Sequence, residues 1–232
     1  MKLGVMQPYL FPYLGYWQLV NTVDKYIILD DVTFIKQGYI NRNNILVQGK
    51  AQAFNIQVKD ISSNKLIKDH FLNPDPRWKK KLLKTIEQSY RKAPQFETVF
   101  PLISDCIRYE EQNLAKYLAY SIRSIGNFLG INTEIVMNSD ADSGSESTGS
   151  ERIVDLCMEH GATEYINSIG GQSLYSKEHF ASKGIDLRFL EMNKVEYAQY
   201  NHEFVPYLSI IDVLMHCSLE EVSKLLNEYE LV

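Results

Sequence analysis

Apolar and polar positions along the chain follow two periods, and each period predicts an element. Residues 2–6 (KLGVM) form a short apolar run that stops at Gln7-Pro8. Helical spacing follows from about Pro12, whose missing N–H suits a first helical turn. A second run, Tyr26-Ile27-Ile28-Leu29, ends in Asp30-Asp31, so the opening reads strand, loop, helix, strand. The runs ILV and AFNIQV between Ile45 and Val58, separated at Gly49-Lys50, predict a hairpin. Residues 59–75 read as loop. Trp78, Leu82, Leu83 and Ile86 make an apolar stripe at helical spacing over 77–88, and further helical patterns cover about 95–107 and 110–129. The strand TEIVM leads into SDADSGSESTGS, too polar to pack by itself and so the expected mobile loop. Beyond it come a helix over 151–160, a strand around 164–166, a break at Gly170-Gly171, a helix near 176–182 and a strand over 186–189. Helices around 208–217 and 219–229 close the chain, the second opened by Ser218 with Glu221 three residues on, the pattern of a capping box.

Alternating elements of this length predict an α/β fold: a mostly parallel, Rossmann-like sheet with helices on both faces and a helical middle insertion. A single domain over residues 1–232 is expected, with a helical sub-lobe at 76–129. In such sheets ligands bind at the carboxyl ends of the strands, where Asp30 and Asp31 fall.

Composition narrows the function classes. The 232 residues are 45% hydrophobic, enough for a core, and carry 29 acidic against 24 basic side chains. A net charge of -5 argues against a dedicated nucleic-acid binder and leaves a small molecule as the expected partner. Cys106, Cys157 and Cys217 are odd in number and far apart, so neither a disulfide framework nor a zinc site is expected. His70, His160, His179, His202 and His216 show no HxH or HxxxH spacing, and no GxSxG is present, so no metal is assigned. The amino-terminal MKLGVMQP reads as neither signal peptide nor membrane span, which predicts a cytoplasmic protein. The basic run Arg77 to Lys92 reads as the solvent face of an amphipathic helix. The unusual component is tyrosine, 15 residues against 10 Phe and 2 Trp, with Tyr9, Tyr13 and Tyr16 close together.

Four segments carry candidate chemistry. In Gln7 to Trp17 two prolines stiffen a loop directly after a strand; Gln7 offers an amide and Tyr9, Tyr13 and Tyr16 offer rings to a sugar or base, the alternative being an aromatic anchor for the first helix. Asp30 and Asp31 are followed by Lys36, Asn41, Arg42 and Asn43; carboxylates at a strand end can act as a base or hold a divalent metal, and an arginine fork grips phosphate or carboxylate. The alternative is a capped turn with Arg42 paired to Asp31. Ser147 to Arg152, with Ser150 and Arg152, forms either an anion site at a helix start or an ordinary cap. Gly170, Gly171 and Tyr175 follow a short strand, where glycines let backbone approach a ligand or simply make a tight connection.

Taken together, Gln7 through Tyr16, Leu29 to Phe34 with Lys36, Asn41-Arg42-Asn43 and Ile45, Gly161 to Tyr165, and Gly170-Gly171 through Tyr175 resemble the WbqC-like family over nearly the whole chain, Met6 to Asp212. The resemblance implies a bacterial protein of surface-polysaccharide (O-antigen, lipopolysaccharide) biosynthesis that transfers an acyl or aminoacyl (glycyl) group to an amino sugar. It further implies a nucleotide-linked amino sugar as substrate and a nucleotide or activated acyl donor in place of a resident cofactor. On this reading Asp31 is the base, Arg42 and Lys36 hold an anionic group, and the tyrosines stack on the sugar or base. A non-catalytic sugar-binding protein is the rival reading. A third is nucleotidyl transfer, because Pro12 to Tyr16 is similar in placement to an HxGH signature, although tyrosines stand at 13 and 16 where that signature has histidines.

Overall fold

The computed structural model describes residues 1–140, 147–200 and 203–232. Residues 141–146, half of the segment expected to be mobile, and His202 therefore lie outside the described residues. A six-stranded sheet in the order β5-β2-β1-β6-β7-β8 is built from β1 (Lys2–Met6), β2 (Lys25–Ile28), β5 (Glu134–Met137), β6 (Glu164–Ser168), β7 (Asp186–Met192) and β8 (Tyr229–Leu231). The first five in sequence are parallel, and only β8 runs antiparallel, against β7. In chain order the parallel strands lie third, second, first, fourth, fifth, the order of the first five strands of a doubly wound α/β sheet, so connections reverse direction between β1 and β6.

Helices cover both faces. Helix α1 (Leu14–Thr22) packs with α2 (Arg77–Tyr90), α3 (Phe96–Arg108), α4 (Leu114–Phe128), α7 (Ile210–His216) and α8 (Leu219–Leu225) in one continuous apolar core. Helices α5 (Gly149–Glu159) and α6 (Lys177–Ser182) form a smaller core on the opposite face with Leu3, Val5 and Ile27. Strand alternation explains the division: Leu3 and Val5 face α5, while Met6 and Ile28 face α1. The helical insertion thus shares its core with the α1 face of the sheet. The hairpin is a separate two-stranded sheet, β3 (Arg42–Val47) with β4 (Lys50–Asn55); its turn is Gln48-Gly49, both in left-handed backbone, one residue earlier than the sequence suggests.

Several element boundaries differ from the sequence expectation: α4 opens at Leu114, β3 already at Arg42, and β7 runs on to Met192. Helix α1 begins at Leu14 instead of Pro12, because the Pro12 carbonyl accepts the Trp17 indole N–H at 3.1 Å and the chain is still turning there. Gly170-Gly171 do not break the chain but lie in a 3-10 turn, Ile169–Leu174. Helix α8 stops at Leu225, and Tyr229, assigned to a helix by its spacing, opens β8 instead, since pairing with Met192 satisfies its backbone. The Ser218 and Glu221 capping box is present as the sequence indicates.

Candidate functional site

The carboxyl edge of the sheet gathers side chains from three strands and one helix. Beyond β2, Asp31 is mostly buried: Arg152, in the first turn of α5, forms an ion pair with its Oδ2, and Asn138, just past β5, donates to the same oxygen at 2.9 Å. Its other oxygen, Oδ1, is buried and has no hydrogen-bond partner among the described residues. The same condition holds at Gln7 Oε1, Asn138 Oδ1 and Ser150 Oγ. Three of these four atoms only accept hydrogen bonds, and buried acceptors left empty are costly, about 1–3 kcal/mol each. What is missing at this edge is a donor.

Asp30 points the other way. Completely buried, it accepts from the Ser139 amide at 3.0 Å and the Ser139 hydroxyl at 2.5 Å. Burial raises its pKa above the ordinary 3.8, partly offset by the Ser139 bonds. A raised carboxyl in the folded state means that folding binds protons, so its contribution favours the fold in acid and is lost as pH rises from the unfolded value through the folded one. Asp30→Asn should therefore gain stability relative to the natural protein as pH rises from 4 to 7. Thermal melts at both pH values check this; a difference that stays constant would count against it.

The loop after β1 is held open by the hairpin. Phe11 adopts left-handed backbone, φ 43°, which costs energy for a bulky residue. Asn43 offsets this by donating to the Leu10 and Phe11 carbonyls at 2.9 and 2.8 Å, and Ser209 donates to the Phe11 carbonyl at 2.8 Å. Asn41 ties the same hairpin by its amide to the Ile56 carbonyl. The loop so fixed lines two neighbouring chambers. The smaller, about 280 Å³, lies among Tyr9, Pro12, Tyr13, Tyr39, Asn43 and Tyr207. The larger, about 540 Å³, lies between Tyr13-Leu14 and residues 192–197 with 204–208, and Tyr13 and Tyr207 border both. Burial and neighbouring tyrosines raise the pKa of Tyr9 and Tyr13, so both remain hydrogen-bond donors at neutral pH.

The sequence candidates are not all in one place. Gln7, Asp31, Ser150 and Arg152 belong to the polar edge, and Tyr9, Tyr13 and Asn43 to the aromatic chambers. Tyr16 is 1% exposed, its hydroxyl donating to the Gln7 carbonyl at 3.2 Å and its ring beneath Tyr9; it supports the loop from the core and has no free face. Arg42 does not pair with Asp31: its Nε donates to the Gly38 carbonyl and its Nη2 to Gln37, while Arg152 takes the carboxylate. Lys36 is exposed on the same loop. Gly170 is exposed, whereas Gly171 packs so closely that an added Cβ would lie 2.8 Å from the Asn167 amide nitrogen. Tyr175 leans edge-on to Tyr165 and Phe180 in the α5-side core. Tyr39 and Tyr207 escaped the sequence reading because neither sits in a periodic run; their exposure, 53% and 68%, marks them only in three dimensions.

A cysteine nucleophile is disfavoured, since all three thiols are buried and burial pushes each up to about 12. Nucleotidyl transfer by an HxGH-like device also loses ground, because position 16 is filled by a core ring. Gly15 matters to the chambers: a Cβ there would lie 2.6 Å from the Tyr13 ring. Gly15→Ala should keep the fold, as alanine is the better helix former, yet displace Tyr13. The expected readout is a nearly unchanged melting temperature with an altered near-UV circular dichroism spectrum.

Among the described residues no helix is long and apolar enough to cross a membrane, and no group of three or more His, Cys, Asp or Glu stands ready to hold a metal ion. No solved structure matches the chain. It is 28% identical over 224 residues to Rv1507c, an uncharacterized protein of Mycobacterium tuberculosis, covering 94% of this chain and 95% of that one. The polar edge, the aromatic loop and the segment 192–208 all fall within residues 7–224, which match the model of the WbqC-like protein family, and to that family the chain belongs.

Proposed function

We propose that the protein is a transferase that places an acyl or aminoacyl group on the amine of a nucleotide-linked amino sugar of surface-polysaccharide synthesis. The observation that carries this reading is the Asp31 carboxylate, with one oxygen fixed by Arg152 and Asn138 and the other buried and empty at the carboxyl edge of β2. An amine N–H or a sugar hydroxyl is the partner that such an acceptor lacks. In the reaction the sugar amine attacks the acyl carbonyl carbon, the C–N bond forms, and the bond to the donor's carrier breaks with its electron pair leaving on the carrier. Asp31 takes the amine proton and returns it to the carrier, so acyl donor plus amine gives amide plus protonated carrier.

The remaining residues position the substrates. Sugars stack well on tyrosine faces, which suits Tyr9, Tyr13, Tyr39 and Tyr207. Arg42, already braced on two carbonyls, keeps further N–H groups for a phosphate, with Lys36 beside it in the sequence. Incubation with nucleotide-linked amino sugars and acyl or glycyl thioesters, read by mass spectrometry, tests the proposal. An N-acylated sugar supports it; tight sugar binding with no product from any donor would make the protein a binder instead.

A further inference from the structure

The larger chamber owes little to the family motifs, sharing with them Tyr13 and Leu14, and its lining differs in kind from the polar edge. Leu14, Met192, Val195, Phe204, Leu208 and Val213 give it an aliphatic and aromatic wall, and its charged members, Lys194 and Glu196, are exposed. The wall is also pinned. Tyr197, which lines it, donates to Asp212 Oδ2 at 2.7 Å, and Gln199 donates to the same oxygen at 2.7 Å while accepting from the Val205 amide at 2.7 Å. Asp212 itself is wholly buried. A chamber of about 540 Å³ with a preset wall is of small-molecule size.

Tyr207 stands between the two chambers. Its backbone is left-handed, φ 58°, its ring is 68% exposed, and it meets Tyr13 edge-on with centroids 6.3 Å apart. A large side chain that is strained and yet scarcely buried gains little for folding, which directs attention to binding.

Building on the acyl-transfer reading, we propose that this chamber is the acyl-group site and that it accepts a straight aliphatic chain in preference to a glycyl group. Aliphatic carbon meets carbon along most of the lining. Among the described residues the one carboxylate in the lining, Glu196, is exposed, and Asn193 is its one amide side chain, so a glycyl ammonium meets little to balance its charge. The Tyr13 and Tyr207 rings then mark the boundary that the two chambers share. The inference selects between donor classes that the sequence leaves open.

Isothermal titration with S-acyl pantetheine thioesters of two, four, six and eight carbons, beside the glycyl thioester, tests it. Affinity should rise about fourfold per methylene until the chamber is full, and the glycyl thioester should bind no tighter than the acetyl one. Val195→Trp, which fills the chamber, should remove the chain-length dependence while the melting temperature holds. Should that variant fail to fold, Tyr207→Gly removes the ring and relieves the positive φ, and it should weaken long chains more than acetyl. Affinity flat with chain length, or tightest for glycyl, overturns the proposal. Chain-length-dependent binding without transfer to any amino sugar keeps the chamber and rejects the transferase; acetyl or glycyl transfer with a flat series does the reverse.

Discussion

Asp31→Asn should lower acyl transfer by about 10²- to 10⁴-fold, the range for loss of a positioned proton acceptor, and should also lower the melting temperature, because the mostly buried Arg152 guanidinium loses the charge that balances it. The substitution keeps the shape. The amide oxygen can stay on Arg152 and Asn138, which places the NH₂ where the buried Oδ1 now lies, so a donor replaces the acceptor that a substrate N–H needs. Turnover measured beside a melt separates this from misfolding. Arg152→Ala is the complementary case: it strands the Asp31 carboxylate at a mostly buried position, so melting temperature and turnover should fall together. If Asp31→Asn left turnover intact, the carboxylate would have no part in proton transfer, whatever it contributes to binding.

Asp212→Ala should cost about 3–5 kcal/mol of stability, a drop in melting temperature on the order of 10 °C for a chain this size. Asp212 accepts from the Tyr90 hydroxyl at 2.8 Å, the Tyr197 hydroxyl at 2.7 Å and the Gln199 amide at 2.7 Å, all in the interior. Its removal leaves the Tyr90 and Tyr197 hydroxyls unmatched, while Gln199 keeps the Val205 carbonyl at 3.0 Å. The Tyr90 hydroxyl also receives the Leu46 amide at 2.9 Å, so one carboxylate couples the hairpin, α2, α7 and the wall of the larger chamber. Tyr197→Phe removes only one of these bonds and should cost about 1 kcal/mol. A melting temperature for Asp212→Ala equal to that of Tyr197→Phe would show that the network does not act as a unit.

These two carboxylates illustrate what could be read from the sequence. Asp31 was legible because it ends an apolar run, and the end of a parallel strand is a place defined by local pattern and general topology together. Its partner was not: Arg152 lies 121 residues away, and Arg42, nearer in sequence, turns to carbonyls of its own loop. Asp212 sits in a helical pattern where its spacing reads as one turn of an ordinary helix, and only packing shows three donors converging on it.

The tyrosines divide along the same line. Tyr9 and Tyr13 follow a strand within a proline-stiffened loop, a combination that local chemistry alone marks as a candidate site. Tyr16 has the same composition around it, yet α1 turns it inward beneath Tyr9, and helix rotation relative to a sheet is set by the core. Tyr39 and Tyr207 carry no local signal at all and join the chambers because distant segments meet there. By itself the sequence determined the alternation of strands and helices, the parallel sheet and the edge at which polar and aromatic groups collect, since hydrophobic period and chain connectivity are local properties. The tertiary structure decided which arginine balances Asp31, which tyrosines line the chambers and what walls the larger one, because each depends on contacts between residues far apart in the chain, and no period along the chain records those.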